Sequence, residues 1–320
     1  MINLLRIAAA SFAASIMVTG VVVAEPQRFE LERGDGSTIH WSLDMPENGR
    51  PKGVIVLAQG SGCLSTEHNA NLRLIRSVFP VFAALTVEKY GVKPGDNPTA
   101  DHEDCSAEFR QHHTMTQRVE DYLAVLSRLR TEAWWNGGLV LAGGSEGGDV
   151  IARLSAPAEA DATILISTGG GKTFGEMVRQ SIMDEMERHK VPEENRPPVD
   201  QIFEQARANP TGTEIWAGSS FRFWADAIDH RIVDSMLQAD TDFLLVQGGR
   251  DTSTPVEMAR IVADRFSEAG RCNLTYWEFP GLDHGMADAV GTSRMSEVLV
   301  LAASWAEQRL ASDAVSCVRP

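Results

Sequence analysis

The sequence predicts a doubly wound, mostly parallel α/β sheet with a helical cap inserted late in the chain. Three observations predict it. Val54 to Ala58, Leu139 to Ala142, Ala162 to Ile166 and Phe243 to Val246 are short, continuous apolar runs, as in strands buried on both faces. Segments with apolar residues at helical spacing alternate with these runs. Several of the runs empty into glycine-rich turns that carry a serine, an acid or a histidine.

In chain order, one positive residue, Arg6, precedes an apolar run from Ile7 to Val23 that ends in small residues before Glu25. That pattern predicts an export signal over residues 1–24, leaving 25–320 as one domain; an uncleaved membrane anchor is the alternative. Arg28 to Glu32 and Thr38 to Leu43 suit two strands, joined by Gly34-Asp35-Gly36-Ser37 as a hairpin turn. After the Val54 strand, His68 to Val78 is helical and Phe82 to Val87 is strand. Residues 91–113 read as a polar loop. Thr116 to Arg130 reads as a helix with Val119, Leu123, Leu126 and Leu129 along one face. Asp149 to Ser155 is helical behind the Leu139 strand. The interval of about 171–238 is too long for a plain crossover and supplies the cap, with helices over Glu176 to His189 and Phe221 to Met236; its apolar stripes equally suit an extension of the core. Pro255 to Ala269 is helix, Leu274 to Phe279 strand, and Met295 to Leu310 helix.

The formal net charge is −15, and the predicted leader holds one Arg and no acid, so the remainder is more acidic still. That balance argues against a nucleic-acid partner and, once the leader is removed, against an anionic membrane surface. It leaves the oligomeric state open. The four cysteines, Cys63, Cys105, Cys272 and Cys317, suggest two disulfides in an exported chain. The pairings local in sequence, Cys63–Cys105 and Cys272–Cys317, are the expectation.

The chemistry gathers at three turns. Gly143-Gly144-Ser145-Glu146-Gly147-Gly148 joins a strand to a helix with serine at the tip, the G-x-S-x-G pattern of a nucleophile elbow. A serine hydroxyl needs a base, and the base needs a carboxylate to fix its tautomer and carry its charge. Asp251 follows the Phe243 strand in a glycine turn, and His284 follows the Leu274 strand before Gly285. With serine, acid and histidine in that order, each at the end of an apolar strand, most of the mature chain resembles the α/β-hydrolase superfamily, with the character of a dienelactone-hydrolase or prolyl-oligopeptidase catalytic domain. The resemblance implies Ser145 as nucleophile, Asp251 as orienting acid and His284 as general base. It also implies an oxyanion hole from the amide of Glu146 and that of Ser61, with Gly62 as alternative. Gln59-Gly60-Ser61-Gly62 stands where the superfamily has a His-Gly loop, Gln59 replacing the common histidine.

Each residue has a plainer reading. Asp251 could cap the helix that follows, and Asp283 and Glu278 are rival acids. Ser167-Thr168-Gly169-Gly170-Gly171-Lys172-Thr173 ends like a phosphate-binding loop, but Ile166 stands where that pattern needs its first glycine. His102, Glu103, Asp104, His112 and His113 lack any recognisable zinc spacing. The expectation is therefore a periplasmic or secreted serine hydrolase, without metal or cofactor, that cleaves a small-molecule ester through an acyl-enzyme. A thioesterase or peptidase would use the same triad. A non-catalytic binding protein on this fold is the alternative from another class.

Overall fold

The computed structural model describes residues 26–98 and 104–311. The predicted leader, Cys317, His102 and Glu103 lie outside these residues. A hairpin, β1 (Gln27–Glu32) and β2 (Thr38–Asp44), precedes β3 (Val54–Ala58), α1 (Ala70–Val78), β4 (Ala83–Val87), α2 (Ala107–His112) and α3 (Met115–Leu129). β5 (Leu139–Gly144), α4 (Glu146–Ser155) and β6 (Ala162–Ile166) come next. The insertion contributes α5 (Phe174–Arg188), α6 (Val199–Ala208), the two-residue strands β7 (Ile215–Trp216) and β8 (Ser219–Ser220), α7 (Phe221–Ala227) and α8 (Ile232–Gln238). β9 (Asp242–Gly248), α9 (Val256–Glu268), β10 (Leu274–Phe279) and α10 (Met295–Ala311) complete the described chain.

Eight strands form one sheet in the order β1-β2-β4-β3-β5-β6-β9-β10. β2 pairs antiparallel with β1 and β4, and every pairing from β4 to β10 is parallel. Because side chains alternate across a strand, each central strand feeds two cores. Val54, Val56 and Ala58 of β3 pack with α3, α4 and α9, while Ile55 and Leu57 pack with α1 and α10 on the other face. That explains the unbroken apolar runs in the sequence.

Four expectations are corrected. The loop before α3 contains a helix, α2, whose first turn is capped by Ser106. α6 was not expected among the prolines; it begins directly after Pro198, where a missing N–H costs nothing. Phe221 to Met236 is two helices, because residues 228–231 leave the helix to serve α5: the carbonyls of Ile228 and His230 accept from the amides of Gly175 and Phe174 at 2.9 and 2.8 Å. The buried face of α3 runs through Met115, Arg118, Tyr122, Val125, Leu126 and Leu129, with Val119 and Leu123 at its margin. Phe203, Phe223, Trp224, Ile228, Ile232 and Met236 of the insertion join the same core as α3 and α4, with Ile182 and Met183 of α5 partly buried against it.

Cys63 and Cys105, 42 positions apart in sequence, form a disulfide within a small apolar cluster that includes Val92 and Phe109. Cys272 is also disulfide-bonded; its expected partner is outside the described residues. Removing Cys63–Cys105 by paired serine substitution should cost about 3–4 kcal/mol, the loop-closure entropy of a chain that long. Urea denaturation of the oxidised and substituted proteins measures it. Among the described residues no helix is long and apolar enough to cross a membrane.

Candidate active site

The elbow is built as its sequence demands. Ser145 has φ 54° and ψ −130°, a backbone conformation that costs a non-glycine residue about 1–3 kcal/mol and is held only by its surroundings. Its amide donates to the Ile166 carbonyl at 2.9 Å and its carbonyl accepts from Gly148 at 2.9 Å. The flanking glycines are there for space. A Cβ on Gly143 would sit 2.6 Å from the Gly147 carbonyl oxygen, and one on Gly147 would sit 2.2 Å from that of Ala58. Ser145 occupies the N-cap position of α4, yet its side chain makes no capping bond. The hydroxyl is left for other work.

Asp251 lies just past β9 with its side chain fully buried. Its two oxygens have separate duties. Oδ2 lies 2.9 Å from Nδ1 of His284, and it also accepts from Gln247 Nε2 at 2.8 Å and the Thr254 hydroxyl at 2.7 Å. Oδ1 accepts from the amides of Ser253 and Thr254 at 2.9 and 2.8 Å, tying the turn that leads into α9. Asp251 therefore caps the turn that follows it and also bonds the His284 ring. Burial pushes its pKa up, but the bonds from His284 and Thr254 outweigh burial and hold the carboxyl below its usual range. An ionised Asp251 accepting from Nδ1–H leaves Nε2 of His284 as the basic nitrogen. The rival acids are engaged elsewhere: Asp283 accepts from the amides of Gly285 and Ala287, and Glu278 pairs with Arg260 and Tyr276.

His284 is brought to the elbow through the strand between them. Ser167, next after the Ile166 that anchors the Ser145 amide, donates its hydroxyl to the His284 carbonyl at 2.8 Å. Among the described residues no hydrogen bond joins the Ser145 hydroxyl to His284, and contacts of this kind tighten when substrate arrives. The turn after β3 lies against the elbow: a Cβ on Gly60 would be 3.6 Å from that of Ser145. Among the described residues the Ser61 amide donates to no protein acceptor, and the Glu146 amide is one of the orphan donors that begin any helix. These are the two expected oxyanion donors, at the ends of β3 and β5.

Sequence reasoning missed what lies beneath. The Glu146 side chain turns inward, and its Oε1 accepts from Lys89 Nζ and Arg118 Nη1, both at 2.8 Å. Lys89 also donates to the Gly60 carbonyl at 2.6 Å, and Arg118 to the Gln59 carbonyl at 2.8 Å. Burial would raise the Glu146 pKa, but the two cations hold it well below the usual value. His113 lies 3.4 Å from the same oxygen, between the rings of Phe109 and Phe223, where burial drives its pKa down to about 4 and keeps it neutral. The sequence signal for Lys89 was its place at the end of an apolar strand, and for Arg118 its spacing of four and seven from Tyr122 and Val125.

The phosphate-loop candidate dissolves, whereas two members of the histidine cluster, His102 and Glu103, lie outside the described residues. The glycines of the 167–173 stretch are packed against Met177, Ile232 and Ile261, and Thr173 spends its side chain in a capping box at the start of α5. His112 stacks on Tyr90. Among the described residues no group of three or more His, Cys, Asp and Glu could hold a metal ion.

No protein-family profile and no curated protein matches the chain. Solved structures do. Est1E from Butyrivibrio proteoclasticus is similar with a TM-score of 0.62 and 16% identity, over 89% of this chain and 99% of that one. An esterase from Pyrococcus furiosus is similar at 0.56 and 13%, over 89% and 88%. The α/β hydrolase GrgF from a Penicillium species is similar at 0.61 and 15%, over 90% and 100%. Sheet order, strained elbow and these likenesses together identify the chain as having the α/β-hydrolase fold.

Proposed function

We propose that this is an exported serine hydrolase that cleaves an ester-type acyl bond. The observation that carries the reading is the buried, ionised Asp251 bonded to Nδ1 of His284, one strand away from a strained serine whose hydroxyl has no structural duty. In the proposed mechanism the Ser145 oxygen attacks the acyl carbonyl while His284 Nε2 takes its proton. Asp251 stabilises the imidazolium, and the Ser61 and Glu146 amides bind the oxyanion. The intermediate collapses, the alcohol leaves with the proton from His284, and water, deprotonated in turn by His284, releases the acid. Two likenesses support esters in particular: the Pyrococcus structure is an esterase, and Est1E has been seen with ferulic acid bound. The Cys63–Cys105 bridge supports export.

A panel of p-nitrophenyl esters, acyl thioesters and aminoacyl anilides, given to the purified protein, tests the reading. Turnover of the esters, lost on treatment with a fluorophosphonate, is the expected result. Preferred cleavage of anilides would make it a peptidase. A folded protein that neither turns over any of them nor takes the phosphonate would be a binding protein.

A further inference from the structure

We infer that Lys89 and Arg118 are positioning residues that aim the oxyanion loop, acting through the carbonyls of Gly60 and Gln59. The inference rests on the hydrolase reading above and adds parts to it. A trans peptide points its C=O and N–H in opposite directions, and the described chain has no cis bonds. Lys89, its side chain wholly buried, holds the Gly60 carbonyl oxygen at 2.6 Å. The N–H of that same peptide unit belongs to Ser61 and so faces away from the cluster, where among the described residues it meets no protein acceptor. Arg118 fixes the preceding peptide plane in the same way, 2.8 Å from the Gln59 oxygen.

Glu146 joins the two donors of the proposed oxyanion hole. Its backbone supplies one amide, and its carboxylate holds both cations that orient the loop bearing the other. The residue after the nucleophile therefore sets the distance between the donors, with no contribution from substrate. Two further effects work in the same direction. A carbonyl bonded to a cation polarises its peptide and strengthens the N–H on the far side. With His113 neutral, two cations bond the single Glu146 carboxylate under the place where the oxyanion forms.

The arrangement gives the enzyme an alkaline limit. The groups facing Lys89 are Glu146 from α4, Arg118 from α3, His113 ahead of α3 and Glu88 from its own strand end. Burial lowers the Lys89 pKa most, with Glu146 pulling back against it, to about 8. The charge-assisted bond to the Gly60 carbonyl belongs to the protonated form, so it is at full strength below that pH and weakened above it.

The test is the rate at which a fluorophosphonate labels Ser145. In that reaction the serine oxygen attacks phosphorus, fluoride departs, the hydroxyl proton passes to His284, and the phosphoryl oxygen draws on the oxyanion donors. Lys89→Met keeps most of the side chain's length and removes the charge, leaving Glu146 paired with Arg118. We expect labelling and ester kcat to fall about tenfold or more, KM to stay within about twofold, and the alkaline limb near pH 8 to disappear. Lys89→Arg, charged at every accessible pH, should recover part of the rate and move the limb upward. A folded Lys89→Met protein that labels at the wild-type rate with an unchanged limb would overturn the inference. Should Lys89→Met not fold, the wild type decides: labelling that does not fall between about pH 7 and about pH 10 also overturns it. A wild type that does not label at all overturns the hydrolase reading itself, and this inference with it.

Discussion

Ser145→Ala is expected to lower kcat for the preferred ester by about 10⁵- to 10⁶-fold while leaving the protein folded. The size of the loss follows from the division of labour. In the proposed mechanism His284 and Asp251 serve one oxygen, and without it they would have nothing to deprotonate; what would survive is the effect of the oxyanion donors and of binding on attack by water. The fold should tolerate the change because the Ser145 hydroxyl makes no capping bond and no other hydrogen bond among the described residues. Alanine inherits the same strained backbone, so its melting temperature should lie within a few degrees of wild type. Steady-state kinetics on protein from a strain lacking other esterases make the comparison. A loss smaller than about a hundredfold would mean that the chemistry belongs to another residue.

Glu146→Ala should be the most damaging single change to stability, at about 3–5 kcal/mol, because it strands two buried cations against each other. Lys89 and Arg118 are 0% and 2% exposed in their side chains, so neither can turn to water. The deficit should depend on pH, and its sign can be worked out. Glu146 is what pulls the Lys89 pKa upward in the folded wild type, so its removal lets burial lower that pKa further. The unfolded chain keeps its lysine protonated up to about pH 10. Over the interval between, the unfolded state holds more protons than the folded state, and folding stability rises with pH. Guanidinium denaturation at about pH 7 and about pH 9 should therefore show the gap between variant and wild type narrowing. A gap that widens would place the dominant interaction of Glu146 elsewhere.

What could be read from the sequence and what could not divides along a physical line. Val54 to Ala58 and its fellows announce a buried parallel sheet because burial on two faces leaves no room for alternation. Ser145 and Asp251 stood out because each follows such a strand, and His284 because it follows the half-buried edge strand β10; the C-terminal strand ends of an open α/β sheet meet at one rim. The elbow glycines were visible for a steric reason, borne out by the carbonyl oxygens that would collide with a Cβ. Lys89, Arg118 and Gln247 were invisible. They are polar residues whose burial is made tolerable by partners 57, 28 and 4 positions away, and only the fold brings the first two pairs together. A charge set among apolar positions, as at Arg118 in α3 or at Lys89 after β4, is the trace such a network leaves in the sequence. The break at residues 228–231 escaped for a related reason: the helix stops to feed carbonyls to α5, a demand that no local periodicity records.

The two oxygens of Asp251 make it a joint between chemistry and architecture. One fastens the start of α9 and the other steers the imidazole, so the angle at which the base is presented is inherited from the backbone of the following turn. A substitution that removes the charge and keeps an oxygen acceptor separates the two roles, whereas one that deletes the whole group removes both at once. Any disturbance of residues 252–254, far in sequence from the nucleophile, thereby becomes a disturbance of the base.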